Sequence, residues 1–539
     1  MASVNDDTDR EHPTLSPRSV KHRNSVAQLH GMGYAQELKR TMSIFSNFSI
    51  SFSIICIVSG GINGFPQAIA SVGGAGAGIG WPVGCCLSGM FALAMAQIAS
   101  AFPTAGGLYH WASILGNPVL GFATGWLNLM GLITVLGAIN IGTAYFFAGT
   151  FGGMIGFTGT EGQVVVFVAV ITIVQALLNH LGIKITTMLT NVSGIIIIVT
   201  TAVLVVSCLV LAPAINISRL WTFTNYSDAG GGVFPESESI GYLFLLCLLL
   251  PFFTLVGYDA SASVSEETMD AAASVPKGIV TAVFWSSLVG WVMICSITLA
   301  IPEMFFFTME GIMPSGLKFA LYAGIVIAQL LSGLATVTSA SRMIFAFARD
   351  GGFPIGSKTL STVSPKFRTP VAAIWTTMVL CILYVLLALS IKVGGTSIYV
   401  IVVNSTIVFL YLSYTVPLVA GVFAYGTERW PEPGPWAMSG AVYKLVSALS
   451  VVAMGLIMFI AMAPPNQRVL YVVLSFVVLL VILWLAVEKR RFKGPPTGDR
   501  IAALRSSIVA AELAVGEKQP LIEMNYERRD GAVQSKHQY

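Results

Sequence analysis

Long apolar runs alternate with short polar breaks from about residue 43 to residue 488. An α-helix needs roughly 20 residues to cross the ~30 Å hydrocarbon core of a bilayer, and each apolar run reaches about that length. Four of the runs, the first, third, sixth and eighth, exceed one membrane thickness, an excess that a tilted or broken helix accommodates. We predict twelve membrane-spanning helices, at 43–72, 80–102, 117–150, 162–182, 186–212, 239–268, 278–301, 317–349, 370–391, 398–424, 441–463 and 467–488.

The composition supports this interpretation. Hydrophobic residues make up 55% of the 539 residues and charged residues only 10%, with a mean hydropathy of +0.79. Soluble domains carry about one-quarter charged residues, and a water-soluble core cannot absorb so much apolar surface. We therefore predict an all-α polytopic membrane protein, with a membrane domain at 41–488 between polar tails at 1–40 and 489–539.

The polar and reactive residues exclude several kinds of site. All seven cysteines lie inside apolar runs, at spacings that fit neither a disulfide framework nor a zinc site. We expect no metal, no cofactor and no nucleic acid partner, and the lipid bilayer is the partner that the composition requires. The tail at 501–515 has rough helical periodicity, with Ile501, Leu504 and Ile508 on one face of a predicted surface helix.

The distribution of positive charge predicts the orientation. With the N-terminus in the cytoplasm, the outer loops hold only Arg219, Lys318, Lys392 and Arg468, and the other 25 of the 29 Lys and Arg residues lie inside. Lys and Arg near the ends of spanning helices favour the cytoplasmic side. We therefore expect both tails in the cytoplasm.

The first predicted helix contains a cluster of small and polar residues, Ser59–Gly64, with Pro66 close behind. Freed backbone groups survive at membrane depth only where they line a cavity and meet a ligand or ion. A break here would also expose a helix N-terminus, whose N–H groups and positive dipole end suit a carboxylate. The alternative is close helix packing through small residues.

The sixth predicted helix has a second interruption, where Tyr242–Pro251 is followed by Phe252–Asp259. Paired breaks in two halves of a chain point to a binding site between inverted repeats. Asp259 is either a buried charge that faces the cavity or the N-cap of the second half of the helix, and we favour the cap. Glu266 and Glu267 should lie near the cytoplasmic end, where they pair with a basic inner loop or are solvated.

The third predicted span contains Asn128 and Asn140, and the tenth contains Asn404. A lone Asn in a spanning helix usually bonds to a neighbouring helix, with a contribution of about 1 kcal/mol. Contact with a ligand is the alternative for each of them.

Four segments carry long motifs. Ala96–Trp111, AQIASAFPTAGGLYHW, and Ser339–Pro354, SASRMIFAFARDGGFP, resemble the end of helix two and the segment after helix eight in the amino acid–polyamine–organocation superfamily. Gly33–Arg40, GYAQELKR, and Gly257–Thr268 resemble its amino acid/choline transporter branch, which includes 4-aminobutyrate permeases. The resemblance covers roughly residues 30–490.

This resemblance implies two inverted five-helix repeats followed by two further helices, with helices one and six unwound around a substrate. By match to the broken helix one, Ser59, Gly60 and Gly61, with Ile62 beside them, would hold a carboxylate. By match to the broken helix six, the residues that face the amine and side chain would be Leu255, Val256, Gly257 and Tyr258.

The implied function is secondary active transport of amino acids or related small amines such as 4-aminobutyrate across the plasma membrane. Choline or a polyamine is the alternative substrate, although choline has no carboxylate for helix one to hold. A receptor that binds amino acids as a nutrient signal is the alternative from another class, and the modest tails argue against it. We expect no enzyme, since no intramembrane His, Asp or Glu cluster stands out, and no channel, which needs a continuous polar pore lining.

Energy coupling is less constrained. Some members of the superfamily use a lysine in helix five as a proton-coupling charge, but residues 186–212 contain no Lys or Arg. A sodium site in this fold would use hydroxyls of helix eight, where Thr336 is present but its neighbour Ala335 has no side-chain oxygen. We expect the Thr336 hydroxyl to hydrogen-bond a neighbouring helix or its own backbone rather than an ion. We favour H+ coupling or exchange, with Thr336, Asp259 and Asn128 as candidates for coupling or support.

Overall fold

A computed structural model of the 539-residue chain describes residues 17–212, 214–227, 237–300, 313–390 and 398–516. Residues 1–16 of the predicted tail at 1–40 and residues 517–539 of the predicted tail at 489–539 lie outside these residues, as do the last residues of the predicted helices 278–301 and 370–391. Among the described residues, eleven helices are long and apolar enough to cross a bilayer, and a shorter apolar helical segment lies at Ile240–Thr254. Each of the twelve predicted spans therefore has a helical counterpart.

The helices are numbered here in chain order. The first five spans are α2 (Ile44–Ile55) with α3 (Ile57–Val72), a π-helical turn (Gly76–Gly80) with α4 (Trp81–Ala101), α6 (Pro118–Ile155), α7 (Glu161–His180) and α8 (Ile183–Leu211). The next five are the second broken span, made of α9 (Ile240–Cys247), α10 (Leu249–Thr254) and α11 (Ala260–Ser263), and then α12 (Ala271–Ala300), α13 (Ser315–Arg349), α15 (Val371–Ser390) and α16 (Ile398–Ala424). The last two are α17 (Gly440–Met462) and α18 (Gln467–Leu483), and a π-helical turn (Trp484–Glu488) joins α18 to α19 (Lys489–Arg491). The other short helices are α1 (Pro17–Gly31), α5 (Gly107–Leu115), α14 (Ser357–Leu360), α20 (Asp499–Ala503) and α21 (Arg505–Ala514).

Helix ends follow local capping chemistry. Asn117 caps α6 by accepting a hydrogen bond from the Leu120 N–H at 3.0 Å, and Pro118 occupies the first helical position. Gly156 ends the same helix in the left-handed conformation. The largest difference from the predicted bounds is at α12, which begins at Ala271 rather than at 278. Pro276 lies inside this helix and cannot donate to the Ala272 carbonyl oxygen, and the Ser100 hydroxyl donates to that oxygen instead, at 2.8 Å.

The span lengths repeat with a period of five. After the first broken span, the next four have 26, 38, 20 and 29 residues, and after the second broken span the next four have 30, 35, 20 and 27. After five crossings the chain is on the side of the membrane opposite to where it started. The second set of five spans is therefore inverted relative to the first. The two C-terminal spans, containing α17 and α18, follow these repeats.

Helix packing has the same symmetry. α6 packs along α16 and α13 packs along α8, and a shift of five spans converts one pair into the other. α4 packs on α12 and α7 packs on α15, which pairs equivalent helices of the two repeats. In the first span 89% of the most apolar stretch is buried inside the protein, and in the last span only 17% is. The first broken span is therefore central, and the last span is peripheral.

Both tails pack on the same face of the molecule. Nε2 of His30 lies 2.6 Å from Oε1 of Glu512, and the Arg368 side chain, from the segment before α15, donates to the Glu37 and Val515 carbonyl oxygens. Residues 217–224 lie at the opposite end, where the Thr224 N–H donates to the Val72 carbonyl oxygen. We call the two faces the tail side and the far side.

The predicted surface helix at 501–515 is confirmed as α20 and α21. Ile508 is buried, and Ile501 and Leu504 are half-buried, so the predicted apolar face does pack on the protein. The sequence did not predict α1 or α5, which are short and lie outside the apolar runs that signal a span.

Candidate functional site

The first break lies at Cys56, three residues before the predicted segment. Cys56 separates α2 from α3 and has a left-handed backbone, with φ of 34°. The predicted unwound segment Ser59–Gly64 is instead helical and belongs to the first turns of α3. The prediction of a break was therefore correct for this span, but the predicted position was wrong.

Close packing explains the glycines of α3. A Cβ on Gly60 would lie 2.8 Å from Thr254 side-chain atoms, one on Gly61 would lie 2.7 Å from Met293 Cε, and one on Gly64 would lie 2.7 Å from Leu250 Cδ1. These glycines let α3 approach α10 and α12 closely, as the alternative interpretation of the cluster held.

The second break lies where it was predicted. Residues 255–259 are non-helical between α10 and α11, and Gly257 has a φ of +84°. A Cβ on Gly257 would lie 2.4 Å from Ile54 Cγ2, so only glycine fits the contact and the backbone conformation. Because Ile54 is next to the last residue of α2, this contact places the two breaks against each other.

Serine hydroxyls join the two breaks. Ser51 Oγ donates to the Tyr258 carbonyl oxygen at 2.9 Å and accepts from the Ser261 N–H at 3.0 Å. Ser332 Oγ, from α13, donates to the Ile54 carbonyl oxygen at 3.3 Å. These bonds satisfy backbone groups next to the breaks that a membrane interior would otherwise leave without partners. Ser51 and Ser332 were not predicted as site residues, because a serine inside an apolar run gives no sign of which helix it meets.

Asp259 is not the predicted helix cap. Its carboxylate makes no capping hydrogen bond to α11 and instead accepts from the Tyr414 hydroxyl at 2.7 Å and from Asn128 Nδ2 at 3.2 Å. The Tyr414 hydroxyl also accepts from the Gly257 N–H at 3.2 Å. The capping interpretation failed because the carboxylate turns towards α6 and α16, whose hydrogen-bond donors the sequence could not place.

Asp259 is enclosed by the protein. The residue is 2% exposed, and within the described part of the chain it forms no ion pair. A carboxyl group at this depth is costly to bury, which makes it a marker of a functional site.

The other predicted substrate contacts surround these breaks. Leu255, Val256 and Tyr258 are buried in the second break, and Ser59 and Ile62 are buried in the first turns of α3. No described residue forms a hydrogen bond with the Tyr258 hydroxyl, although this residue is fully buried. A buried hydroxyl without a protein partner is a group that a bound ligand or water can satisfy.

The remaining polar candidates have packing roles or no protein partner. Thr336 Oγ1 donates to the Ser332 carbonyl oxygen at 2.9 Å, in its own helix, as we expected. Asn140 bonds Thr172 and Gln175 of α7, which is the predicted interhelical contact. The amide of Asn404 is buried and has no hydrogen-bond partner among the described residues.

Two buried ion pairs lie on the tail side of the second break. Arg349 donates to both carboxylate oxygens of Glu266, at 2.9 and 3.1 Å, and Arg342 donates to both of Glu267, at 3.0 and 3.2 Å. The predicted pairing is confirmed, but the basic partners lie on α13 rather than in a loop. Removing one partner of such a buried ion pair typically lowers the stability of a protein by about 3–5 kcal/mol.

Comparison with known proteins gives a consistent picture. The family model described as "Amino acid permease" matches residues 42–487. The chain is 30% identical to Amino-acid permease BAT1 of Arabidopsis thaliana over 508 residues, which covers 87% of this chain and 95% of that protein. It is 27% identical to the GABA-specific permease of Saccharomyces cerevisiae over 481 residues, covering 84% and 80%, and 25% identical to an uncharacterized amino-acid permease of Schizosaccharomyces pombe over 555 residues, covering 96% and 94%. All three relatives are named as permeases rather than as enzymes.

Proposed function

The chain belongs to the amino acid permease family of the amino acid–polyamine–organocation superfamily and is a multi-pass amino acid transporter, and on this premise we propose that it carries amino acids or related small amines such as 4-aminobutyrate by proton coupling or exchange. The yeast relative named as GABA-specific supports the inclusion of 4-aminobutyrate. The single observation that carries the proposal is the contact between two broken helices around a buried carboxyl group.

The substrate would lie at the two breaks. The N–H groups of Ser59 and Gly60 donate to the Cys56 carbonyl oxygen, at 2.8 and 3.0 Å. A substrate carboxylate would therefore be held by the Ser59 hydroxyl and by the earlier N–H groups of the first turn of α3, at the positive end of its dipole. Gly61 and Ile62 would form the adjacent wall of this position.

The second break would hold the rest of the substrate. The backbone at 255–257 would contact the amine, and the Tyr258 hydroxyl would find its missing hydrogen-bond partner in the ligand. Leu255 and Val256 would contact the apolar part of the substrate side chain. A site of this kind suits a small zwitterion.

We assign the coupled proton to Asp259. The Tyr414 hydroxyl links its carboxylate to the Gly257 N–H, so a change at the break changes the hydrogen bonding of the carboxyl group. Protonation of a buried carboxyl group removes a charge that the apolar surroundings disfavour. At the candidate sodium position, Ala335 belongs to an apolar cluster that includes Ile54 and Ala260, and the Thr336 hydroxyl bonds to its own helix. Both observations favour H+ over sodium.

The test is accumulation of labelled amino acids, 4-aminobutyrate and choline in proteoliposomes. We expect an imposed pH gradient to drive accumulation of an amino acid or 4-aminobutyrate, and replacement of sodium by potassium to have no effect. Asp259→Asn should abolish gradient-driven accumulation but retain exchange of labelled for unlabelled substrate. Glu432→Gln, at an exposed position, is the matched control and should behave like the unsubstituted chain.

Two results would contradict the proposal. Accumulation that needs sodium and ignores the pH gradient would exclude the proton as coupling ion. Gradient-driven accumulation that persists in Asp259→Asn would exclude Asp259 as the proton carrier.

We also propose the plasma membrane as the location, with both tails in the cytoplasm and domain boundaries at residues 1–40, 41–488 and 489–539. The distribution of Lys and Arg and the packing of both tails on one face support this orientation. The tail side of the structure is then the cytoplasmic side.

A further inference from the structure

An extended segment near the N-terminus, which we call the strap (residues 34–40), crosses the tail-side end of the second broken helix. Gln36 Nε2 donates to the Glu266 carbonyl oxygen at 2.8 Å, and Arg40 Nη1 donates to the Ser265 carbonyl oxygen at 2.9 Å. Just after the strap, the N–H groups of residues 41 and 42 both donate to the Glu267 carbonyl oxygen at 2.9 Å. The strap is therefore attached to the backbone that follows the second break.

The C-terminal helix α21 fixes the strap from outside. Glu512 is 1% exposed, and its Oε1 accepts from the Gln36 N–H at 2.8 Å and lies 2.6 Å from His30 Nε2. Arg368 reinforces the contact by donating to the Glu37 carbonyl oxygen at 2.7 Å and to the Val515 carbonyl oxygen at 3.0 Å. Three segments that are distant in sequence thus meet through polar contacts.

The strap also closes over the ion-pair cluster at the end of α13. The Tyr34 hydroxyl donates to Asp350 at 2.7 Å, and the Arg349 guanidinium lies 3.8 Å from the centroid of the Tyr34 ring while it pairs with Glu266. This arrangement connects the strap to both α13 and the second broken helix. Separation of α13 from the second broken helix on the tail side would break these contacts.

The two ends of the molecule differ. On the tail side of the break, Ser261, Ser263, Glu266 and Glu267 are all buried. Towards the far side, Asn63 is half-buried and Pro66 is exposed, on a face of α3 that lies beyond the break. The structure is thus closed on the side where the tails pack.

The packing beneath α21 leaves room for movement. A cavity of about 280 Å³ lies between the strap, α21 and the end of α13, with Glu37, Asp350 and Arg500 among its lining residues. Polar contacts around a cavity can be exchanged for water at a smaller cost than a dense apolar interface. The tails are therefore suited to release and rebinding.

We propose that the strap and α21 form a latch, tied by Glu512, which must release each time the transporter opens to the tail side. This inference rests on the proposed function, because it assumes that substrate leaves the two breaks towards that side. The latch makes the tails part of the gate, and it predicts that they set the rate of transport rather than the affinity for substrate.

The test compares Glu512→Ala with Leu513→Ala, a matched control because Leu513 is its 51% exposed neighbour on the same helix. Each is combined with Ser263→Cys, a position 4% exposed just below the second break. Modification of this cysteine by a maleimide added on the tail side should be at least about threefold faster with Glu512→Ala and unchanged with Leu513→Ala. The chain without Ser263→Cys gives the background from the native cysteines.

His30→Ala, which keeps Glu512, addresses the case in which Glu512→Ala fails to fold, and it should also speed the modification of Ser263→Cys. A cross-link tests the opposite change. His30→Cys with Glu512→Cys, joined by a short bifunctional maleimide, should fix the latch, slow Ser263→Cys modification and stop net uptake, while the unjoined pair remains active. Equal modification rates in Glu512→Ala and the unsubstituted chain, or normal uptake by the joined protein, would overturn the latch. The modification assay needs no transport, so a failure of the proposed substrate or coupling would leave its result readable.

Discussion

At Gly257 a single hydrogen atom decides whether the two breaks can meet. With φ of +84° and an added Cβ 2.4 Å from Ile54 Cγ2, Gly257→Ala introduces both backbone strain and a steric clash. We expect a loss of about 1–3 kcal/mol of stability, measured as a lower melting temperature, together with loss of substrate binding.

Two further variants separate the causes. Ile54→Ala in the Gly257→Ala chain removes the clash and should recover part of the melting temperature, while the backbone strain remains. Gly149→Ala is the control, since no atom lies within 4 Å of its added Cβ and its backbone is helical. A Gly257→Ala chain with unchanged stability and binding would show that the breaks do not meet as described.

The residue scale also shows the limit of inference from sequence. Gly257 could be predicted at a break because glycine tolerates positive φ, whereas Cys56 could not, since its left-handed conformation is imposed by its surroundings. Asp259 was recognised as unusual but assigned to the wrong partners. Its partners Asn128 and Tyr414 lie 131 and 155 positions away in the chain, and only the tertiary fold brings them together.

At the scale of elements, spans were predicted well because bilayer thickness fixes their length. The span α16 was predicted with its observed bounds, 398–424, and most other ends lie within a few residues of the prediction. The break in the first span was misplaced because a glycine cluster has two physical causes, unwinding and close packing, and the sequence of one helix does not contain its neighbours. Here Thr254 and Met293 supply the packing cause.

The attachment of the strap to α21 should depend on pH through Glu37. Burial raises the pKa of Glu37 from 4.5 to about 7, although the positive charge of Arg349 opposes this shift. In the released strap the carboxyl group returns to water and to its ordinary pKa. The contribution of Glu37 to attachment is therefore fully present below about pH 4.5 and is lost as the pH rises through about 7.

Spin labels at Ala510 of α21 and at the exposed Ile355 would measure this attachment as a distance. We expect a single narrow distance at pH 5 and a broader distribution at pH 8, and Glu37→Gln should keep the narrow distance at pH 8. The effect of Glu37 is the difference between the two chains rather than the raw profile of either one. Identical pH responses in Glu37→Gln and in the unsubstituted chain would contradict the assignment of this pH dependence to Glu37. The charged or titratable groups that face Glu37 are Tyr34, Glu266, Arg349, Asp350, Arg368, Arg500 and Glu512.

At the scale of the whole molecule, the two repeats contribute two related breaks. The first break lies between α2 and α3, and the second lies between α10 and α11, so each repeat contributes one interrupted span to the same site. Buried ion pairs and the strap close the tail side. The strap and α21 belong to the tails, which lie outside the repeats, whereas the ion pairs join residues of the second repeat.

The orientation of this asymmetric molecule in the membrane can be measured with two exposed positions. Ile217, on the far side, is 63% exposed, and Ile355, on the tail side, is 87% exposed, so cysteine at either should be reactive without disturbing the core. Since 25 of the 29 Lys and Arg residues lie on the tail side by our assignment, we expect that side in the cytoplasm. On intact cells an impermeant maleimide should therefore modify Ile217→Cys and spare Ile355→Cys, and permeabilised cells should show both modified. The unsubstituted chain sets the background, because its Cys86 is exposed. Modification of Ile355→Cys alone on intact cells would show the opposite orientation, with the latch on the outer surface.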